Sequence, residues 1–312
     1  MKKRKKDLEL ISSGVRGKRT PGDIAVDVII YIVFGFFAFA CFWPFYYLFI
    51  NSISNNDLVE NGKIMFTPMG VHFDNYIRVM KIGGIGRAAM VSVVRTVVGT
   101  ILHVLCTSFM GYVMSRQELW HRKFCYRYVI MTMYLGVGLI PVYMNIRSLG
   151  LINNPLLYVI TGIVGPYNMI LVKTYVESIG QSLEESAVID GAGYTTRFTR
   201  IILPLCKPVL ASIAVFRAVG EWNAYMDTII YMPNGKWETL QSLLFKYLNQ
   251  ATALAKMLEA GGIVDELGET VSISPAGVRY TLTFITVFPI LLVYPYFQRF
   301  FTKGIMLGAV KG

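Results

Sequence analysis

The residue types that carry most enzyme chemistry are few in this chain and lie far apart. The histidines and cysteines are His72, His103, His121, Cys41, Cys106, Cys125 and Cys206. No two cysteines have the C-x-x-C spacing of a zinc or redox site, and no H-E-x-x-H pattern occurs. We interpret the cysteines as small hydrophobic residues and His103 as a core residue whose hydrogen bonds are satisfied. Metal-dependent or cysteine-based catalysis therefore has no support in the sequence.

A more ordered pattern of polar residues runs from residue 182 to residue 204. Ser182 and Glu185 have the spacing of a capping box, in which each side chain accepts a hydrogen bond from the other's backbone N–H at a helix start. Ile179, Leu183 and Ala187 recur every four residues and predict one apolar helix face. Gly191 can reverse the chain, because glycine adopts positive φ without strain. The pattern predicts a short helix, a turn at Gly191 and a second helix near 194–202.

Charged residues also occur inside apolar stretches of the sequence. Arg217 and Glu221 lie four positions apart in one stretch, and Arg95 lies in another. A charge at the centre of a membrane costs about 2.5–3.5 kcal/mol on insertion scales, so it usually faces a cavity or a partner. Arg217 and Glu221 have the spacing to pair along one helix face. For Arg95 we expect the side chain to extend outward to the membrane surface.

The elements that must position these residues are predicted from hydropathy. Of the 312 residues, 54% are hydrophobic and 16% are charged, whereas soluble domains have about 25% charged residues. Runs long enough to cross a bilayer as helices predict an all-α integral membrane protein with six transmembrane helices. They are expected near 24–50, 88–114, 126–146, 155–176, 204–226 and 280–300.

The net charge of +11 is distributed unevenly along the chain. Eight of the 30 Lys and Arg residues lie in the first 19 positions. In a membrane protein such clusters usually mark the cytoplasmic side, so we predict both termini to be cytoplasmic and no nucleic-acid partner. The predicted organisation is a basic tail (1–23), a six-helix domain (24–300) with a cytoplasmic segment at about 177–204, and a C-terminal tail (301–312). An amphipathic helix at 240–267 either packs flat on the domain or forms a platform for an external protein.

The segment around Glu185 resembles a known signature. In the inner-membrane subunits of binding-protein-dependent ABC importers, Glu-Ala-Ala is followed by three residues, Gly, nine residues, Ile, one residue and Leu-Pro. Here Glu185-Ser186-Ala187 is followed at the same spacings by Gly191, Ile201 and Leu203-Pro204, with Ser186 where Ala is usual. Further stretches resemble the maltose-type carbohydrate branch, and most closely its oligosaccharide and aldouronate permeases. They are 111–116, 138–141, 149–153, 190–192 and 298–312.

The resemblance implies a type I ABC importer permease in a bacterial cell membrane. Its implied partners are a second homologous permease subunit, two ATP-binding subunits, an extracellular solute-binding protein or lipoprotein, and membrane lipids. No cofactor is expected on this chain, since ATP and Mg²⁺ belong to the ATPase subunits and the sequence lacks a G-x-x-x-x-G-K-[ST] loop. The residues implied to couple the permease to the ATPase are Glu184, Glu185, Ser186, Ala187, Asp190, Gly191, Ala192, Leu203 and Pro204.

The same resemblance places a sugar pathway near the fifth span. Sugars have polar edges and flat faces, so aromatic rings together with amides and carboxylates suit them. The candidate pathway residues are Arg217, Glu221, Trp222, Asn223, Tyr225 and Asp227. An ion pair of Arg217 with Glu221, and anchoring of Trp222 and Asn223 at the membrane interface, are the structural alternatives.

Two other classes of membrane protein compete with a permease. An intramembrane enzyme acting on lipid-linked or peptide substrates needs histidines or paired carboxylates within its spans, and His103 is the only histidine in a predicted span. A secondary transporter is expected to carry inverted repeats, which we do not find. Neither class explains the segment around Glu185 and Gly191.

Overall fold

The computed structural model describes residues 21–81, 83–259 and 275–309, and all regular structure in these ranges is helical. The predicted N-terminal tail lies largely outside the described residues, as do residues 310–312. The helices are α1 (Pro21–Ile53), α2 (Asn56–Glu60), α3 (Asp74–Lys81), α4 (Ile85–Ser115), α5 (Arg122–Tyr134), α6 (Leu139–Ser148), α7 (Leu157–Ile160), α8 (Pro166–Ser178), α9 (Gln181–Ile189), α10 (Tyr194–Leu205), α11 (Lys207–Asn223), α12 (Met226–Tyr231), α13 (Leu240–Glu259) and α14 (Pro275–Ala309).

The first compact unit ends at His72 and consists of α1, α2 and the segment that follows them. Side chains of α1 are exposed along most of its length, including the large apolar ones from Ile24 to Phe42. A helix of this length measures about 50 Å, more than the roughly 30 Å hydrocarbon layer. Its C-terminal end is held within the unit, because the N–H of Met69 donates to Ser54 Oγ at 3.2 Å. An apolar helix exposed in this way is suited to lipid or to another membrane chain.

The second compact unit begins at Phe73 and is built around α4. Helices α8 and α11 pack along α4, and α14 packs against α11 and α13. At one end of α4 the buried core contains Tyr112, Val172, Phe198 and Ile202. At the other end a second core includes α13, so the amphipathic helix packs on the domain as one of its two interpretations predicts. Residues 260–267 of that prediction lie outside the described residues.

Close packing in the second unit depends on a few glycines. A Cβ placed on Gly111 of α4 would lie 2.7 Å from Val172 Cβ of α8. A Cβ on Gly165 would lie 2.9 Å from His103 Cε1. Small residues let membrane helices approach each other closely, which is a main source of their packing energy.

Three helical stretches within the described residues are long and apolar enough to cross a membrane. They are α1, α4 and the Ala276–Val293 part of α14, and two further bent pairs qualify if each counts as one broken span. The predicted spans at 24–50, 88–114 and 280–300 lie inside α1, α4 and α14. The last of these helices continues through Ala309, so the predicted tail at 301–312 begins within a helix.

The other three predicted spans are not single straight helices. The stretch 126–146 is split into α5 and α6, which are bent by 116° around Gly138, where φ is +83°. The stretch 155–176 consists of the short α7 and, after Gly165, α8. The stretch 204–226 bends by 77° between α10 and α11. Hydropathy alone could not show these breaks, because glycine and proline are tolerated in membrane helices where neighbouring groups satisfy the freed backbone.

Candidate coupling site and buried charge network

Helices α9 and α10 form the helix–turn–helix that the sequence predicts. The turn is closed by the N–H of Ala192, which donates to the carbonyl of Ala187 at 2.8 Å. Gly191 has φ of +78°, a backbone conformation that costs other residues about 1–2 kcal/mol. The predicted capping box is wrong: α9 begins two residues earlier than a Ser182 cap requires, at Gln181, and its N-cap Gly180 provides no side-chain cap.

The faces of α9 differ in what they contact. Glu184 and Ala187 are buried against the rest of the unit. Leu183, Val188 and Ile189 are exposed, and Ile189 is 86% exposed. The predicted apolar face is therefore only partly covered, since Ala187 is buried and Leu183, one turn earlier on the same side of α9, is half exposed. At about 100° per residue, Leu183 and Val188 border the buried side of α9 and Ile189 lies opposite it, so their aliphatic groups are distributed around the exposed side of the helix.

The remaining predicted coupling residues lie mostly at the surface. Ser186 donates its hydroxyl to the carbonyl of Ser182 at 2.8 Å, which leaves it on the exposed side of α9. The exposed group comprises Glu185, Ser186, Asp190, Gly191 and Pro204, whereas Ala192 and Leu203 are half-buried. The glutamate that contacts the rest of this chain is thus Glu184, and Glu185 is left accessible.

An ion pair ties α9 to the end of α4. Arg116, which follows the last residue of α4, donates from Nη2 to Glu184 Oε1 at 2.7 Å, and its guanidinium lies 4.5 Å from the centroid of the Tyr112 ring. Burial lowers the pKa of Arg116 from its ordinary value, although an arginine stays protonated in proteins. This contact joins α9 to the end of α4.

Helix α10 carries a tight contact with the same end of α4. Its middle, Arg197–Ile202, is a π-helical turn, a rare distortion that is frequent at functional sites. Phe198 packs against Phe109 and Tyr112 with ring centroids 5.5 Å and 5.3 Å apart. Both helices of the helix–turn–helix are consequently fixed to α4.

A second cluster of charges lies inside the same unit and is centred on Arg95 of α4. Its Nε donates to Glu221 Oε2 at 2.6 Å, and its two terminal nitrogens donate to Asp227 at 3.1 Å and 2.5 Å. Arg95 also lies 4.3 Å from the centroid of the Tyr158 ring. The expectation that Arg95 extends outward is wrong, because the residue is 6% exposed and its charge is matched by two carboxylates. Internal pairing removes the cost of a lone buried charge.

Arg217 extends this cluster along α11. It forms the predicted i,i+4 ion pair with Glu221, which confirms the structural alternative for these two residues. A Cβ on Gly162 would overlap the Arg217 guanidinium, and the carbonyl of Gly162 accepts a hydrogen bond from His103 Nδ1 at 2.6 Å. His103 is 2% exposed and also contacts Asn168 at 2.9 Å. It is thus a satisfied core histidine, as predicted.

The other candidate pathway residues differ in their contacts and exposure. Trp222 donates from Nε1 to the carbonyl of Thr286 at 2.9 Å, and Tyr225 stacks on Phe245 with centroids 4.8 Å apart. Asn223 is exposed at the end of α11. The sequence analysis missed Tyr158 and the role of Arg95. A sequence signal for Arg95 existed, since an arginine within a predicted span calls for a buried partner.

Comparison with known proteins decides the family. Residues 11–307 match the family described as binding-protein-dependent transport system inner membrane component. The chain belongs to this family. It is therefore a membrane permease subunit of an ABC importer, and the ATPase sites of such importers lie on other subunits. The predicted resemblance and the predicted membrane location are both confirmed.

Individual relatives agree with the family over nearly the whole chain. The chain is 32% identical to the polygalacturonan/rhamnogalacturonan transport system permease protein YtcP of Bacillus subtilis, over 92% of this chain and 98% of the relative. It is also 32% identical to protein LplC of the same organism, over 86% and 89% of the two chains. A chain in the crystal structure of a bacterial ABC transporter that imports the acidic polysaccharide alginate matches with a TM-score of 0.79 and 25% identity. That match covers 92% of this chain and all of the other.

Proposed function

We propose that this permease forms half of a membrane pathway for an acidic oligosaccharide that an external binding protein delivers. Two similar proteins support the substrate class. The name of YtcP includes polygalacturonan, and the structurally similar transporter imports alginate. Both polysaccharides are acidic. A second permease subunit completes the pathway, and two ATP-binding subunits drive it. No contact with ATP is needed on this chain.

The observation that carries the proposal is the helix–turn–helix with exposed aliphatic side chains around α9. An ATP-binding subunit that receives the exposed side of α9 would cover Leu183, Val188 and Ile189, and Glu185 lies accessible among them. Movement of the ATPase pair would then shift α9, and the Arg116–Glu184 ion pair would pass the shift to α4. This is a rigid-body form of alternating access.

Gly191→Val tests this coupling role. Valine is strained at φ of +78°, yet no atom lies within 4 Å of a Cβ built there, so the variant distorts the turn without a clash. We expect normal assembly, ATP hydrolysis that no longer responds to loaded binding protein, and loss of sugar uptake in the reconstituted importer. Gly193→Val is the matched control, because Gly193 has φ of −68° and equally open space. Unchanged uptake by the Gly191 variant would contradict the coupling role.

The pathway proposal distinguishes Asn223 from the charged cluster. We assign contact with sugar to Asn223, Trp222 and Tyr225, and assign to Arg217, Glu221 and Asp227 the shaping of the pathway wall behind them. Uptake of oligogalacturonate by the full importer is expected to fall in Asn223→Ala while the complex still assembles.

A neutral malto-oligosaccharide of equal length should be imported poorly by the unmodified importer. Equal uptake of both sugars would rule out the acidic substrate class.

We propose six membrane crossings with both termini in the cytoplasm. The support is three continuous spanning stretches, two bent pairs and the apolar 155–176 stretch that contains α8. Labelling single cysteines in a cysteine-free variant with a membrane-impermeant maleimide tests this topology. Trp120→Cys, in the exposed loop between α4 and α5, should react only after the cells are opened, and Leu149→Cys should react in intact spheroplasts. The reverse pattern would invert the proposed orientation.

A further inference from the structure

A cleft of about 650 Å³ lies beside α9, and one of the arginines that line it has no ion-pair partner among the described residues. Three arginines and four glutamates line it. Arg116 pairs with Glu184 and Arg122 with Glu177, and Lys173 also contacts Glu177 at 2.9 Å. The third arginine, Arg197, forms no ion pair in the part of the chain that the structure describes.

Arg197 is buried without a matching negative charge. It is 7% exposed, and its Nε has no hydrogen-bond partner among the described residues. The contact recorded for its guanidinium is the Tyr194 ring, whose centroid lies 4.2 Å away. A cation–π contact contributes only about 0.5–2 kcal/mol, less than the several kcal/mol that burying an unpaired ion costs. The residue also occupies the fourth position of α10, where the helix dipole disfavours a positive charge.

These features call for an anion that the described part of the chain does not supply. We propose that the cleft receives an aspartate or glutamate side chain of the ATP-binding subunit, which pairs with Arg197. The proposal rests on the proposed coupling role of α9. It assigns to α10 a second contact, separate from the surface of α9 and from Glu185.

The arrangement of the cleft favours a protein side chain over a free anion. Val188 and Ile189 lie on the cleft wall and are also among the exposed aliphatic residues of α9. A subunit that covers these residues therefore reaches the cleft without further movement. Glu118 and Glu185 also line the cleft, so a small free anion would meet two like charges. A protein surface can present a carboxylate to Arg197 and cations to these glutamates at the same time.

The first test compares neutral variants of two arginines on α10 in the assembled importer. Arg197→Gln should speed dissociation of the ATP-binding subunit on the order of ten- to a hundredfold, because one partner of a desolvated charge pair is removed. Arg197→Lys should keep much of the association. Arg200→Gln is the control, since Arg200 is exposed and does not line the cleft. Dissociation unchanged in Arg197→Gln, or equally fast in both Gln variants, would overturn the proposal.

The second test identifies the partner of the arginine directly. A carbodiimide joins amines to carboxylates that touch each other, so the amine introduced by Arg197→Lys should become linked to an aspartate or glutamate of the ATP-binding subunit. Mass spectrometry of the linked peptides reads out the pair. A link only to Glu118 or Glu185 of this chain, or no link at all, would contradict the assignment.

A third variant separates this proposal from the coupling role on which it rests. Ile189→Asp places a charge on the exposed side of α9 and should release the ATP-binding subunit if that side is the docking site. If Ile189→Asp releases the subunit and Arg197→Gln does not, the coupling role stands and the Arg197 contact is wrong. If neither variant weakens association, both proposals fail.

Discussion

At the scale of single residues, the sequence could show charges but not their partners. The pair Arg217–Glu221 was predictable because both residues lie on one helix with i,i+4 spacing. The contact of Arg95 with Asp227 was not predictable, because 132 positions separate the residues and only the packing of α4 beside α11 and α12 joins them. The pair Arg116–Glu184 was not predictable either, because 68 positions separate these residues. Local spacing specifies turns and neighbours on a helix, whereas long-range pairing needs the fold.

Arg95→Met tests the importance of the buried charge cluster. The change leaves Glu221 and Asp227 without their shared cation, and removing one partner from a buried ion pair costs about 3–5 kcal/mol. We expect the detergent-purified importer to melt at a clearly lower temperature. Size-exclusion chromatography after heating measures this temperature. Arg87→Met, which removes an exposed arginine on the same helix, should change the melting temperature little. Equal melting temperatures for the two variants would show that the cluster does not stabilise the unit.

Gly111→Ala tests the close approach of α4 and α8. The added methyl group would lie 2.7 Å from Val172 Cβ, and overpacking of this kind costs about 1–3 kcal/mol. Gly86→Ala is the matched control on the same helix, because no atom lies within 4 Å of its Cβ position. We expect thermal stability to fall only for the Gly111 variant. If Gly86→Ala destabilises the protein as much, or if Gly111→Ala does not destabilise it, the contact between α4 and α8 does not account for the glycine at position 111.

At the scale of helices, the account depends on how α9 is joined to α4. The helix–turn–helix itself was predictable, because Gly191 and the apolar spacing specify it locally. The capping box was wrong since Ser182 lies inside α9, and the predicted apolar face was only partly right since Leu183 is half exposed although Ala187 on the same side is buried. Breaks at Gly138 and Gly165 were also missed, because a hydropathy average does not detect a change of direction.

The ion pair between α9 and α4 gives a prediction at this scale. Arg116→Gln should leave the subunits assembled but lower sugar uptake per ATP hydrolysed, because movement of α9 is transmitted less well. Exchanging the charges in the double variant Arg116→Glu, Glu184→Arg should restore part of the uptake. The measurement is the ratio of sugar uptake to ATP hydrolysis in proteoliposomes. No recovery in the double variant, or no loss in the single one, would argue against the link.

At the scale of the whole molecule, composition and the family resemblance predicted most of the result. The low charge content excluded a soluble protein, and the spacing around Gly191 identified the family that the comparisons confirm over residues 11–307. Neither composition nor the family resemblance predicts the bent helix pairs or the paired charges inside the second unit. Those features depend on three-dimensional packing between segments that are distant in the sequence.

The central claim is that the exposed face of α9 docks on the ATP-binding subunit, and cross-linking measures it most directly. In an importer whose native cysteines are replaced, Ile189→Cys should form a disulfide or bismaleimide link to a cysteine placed along the ATPase surface. Leu149→Cys, also exposed but in the turn after α6, should not. The account predicts that the yield at position 189 changes between nucleotide-free and ATP-bound importer. Absence of any link from position 189, or an equal yield from position 149, would contradict it.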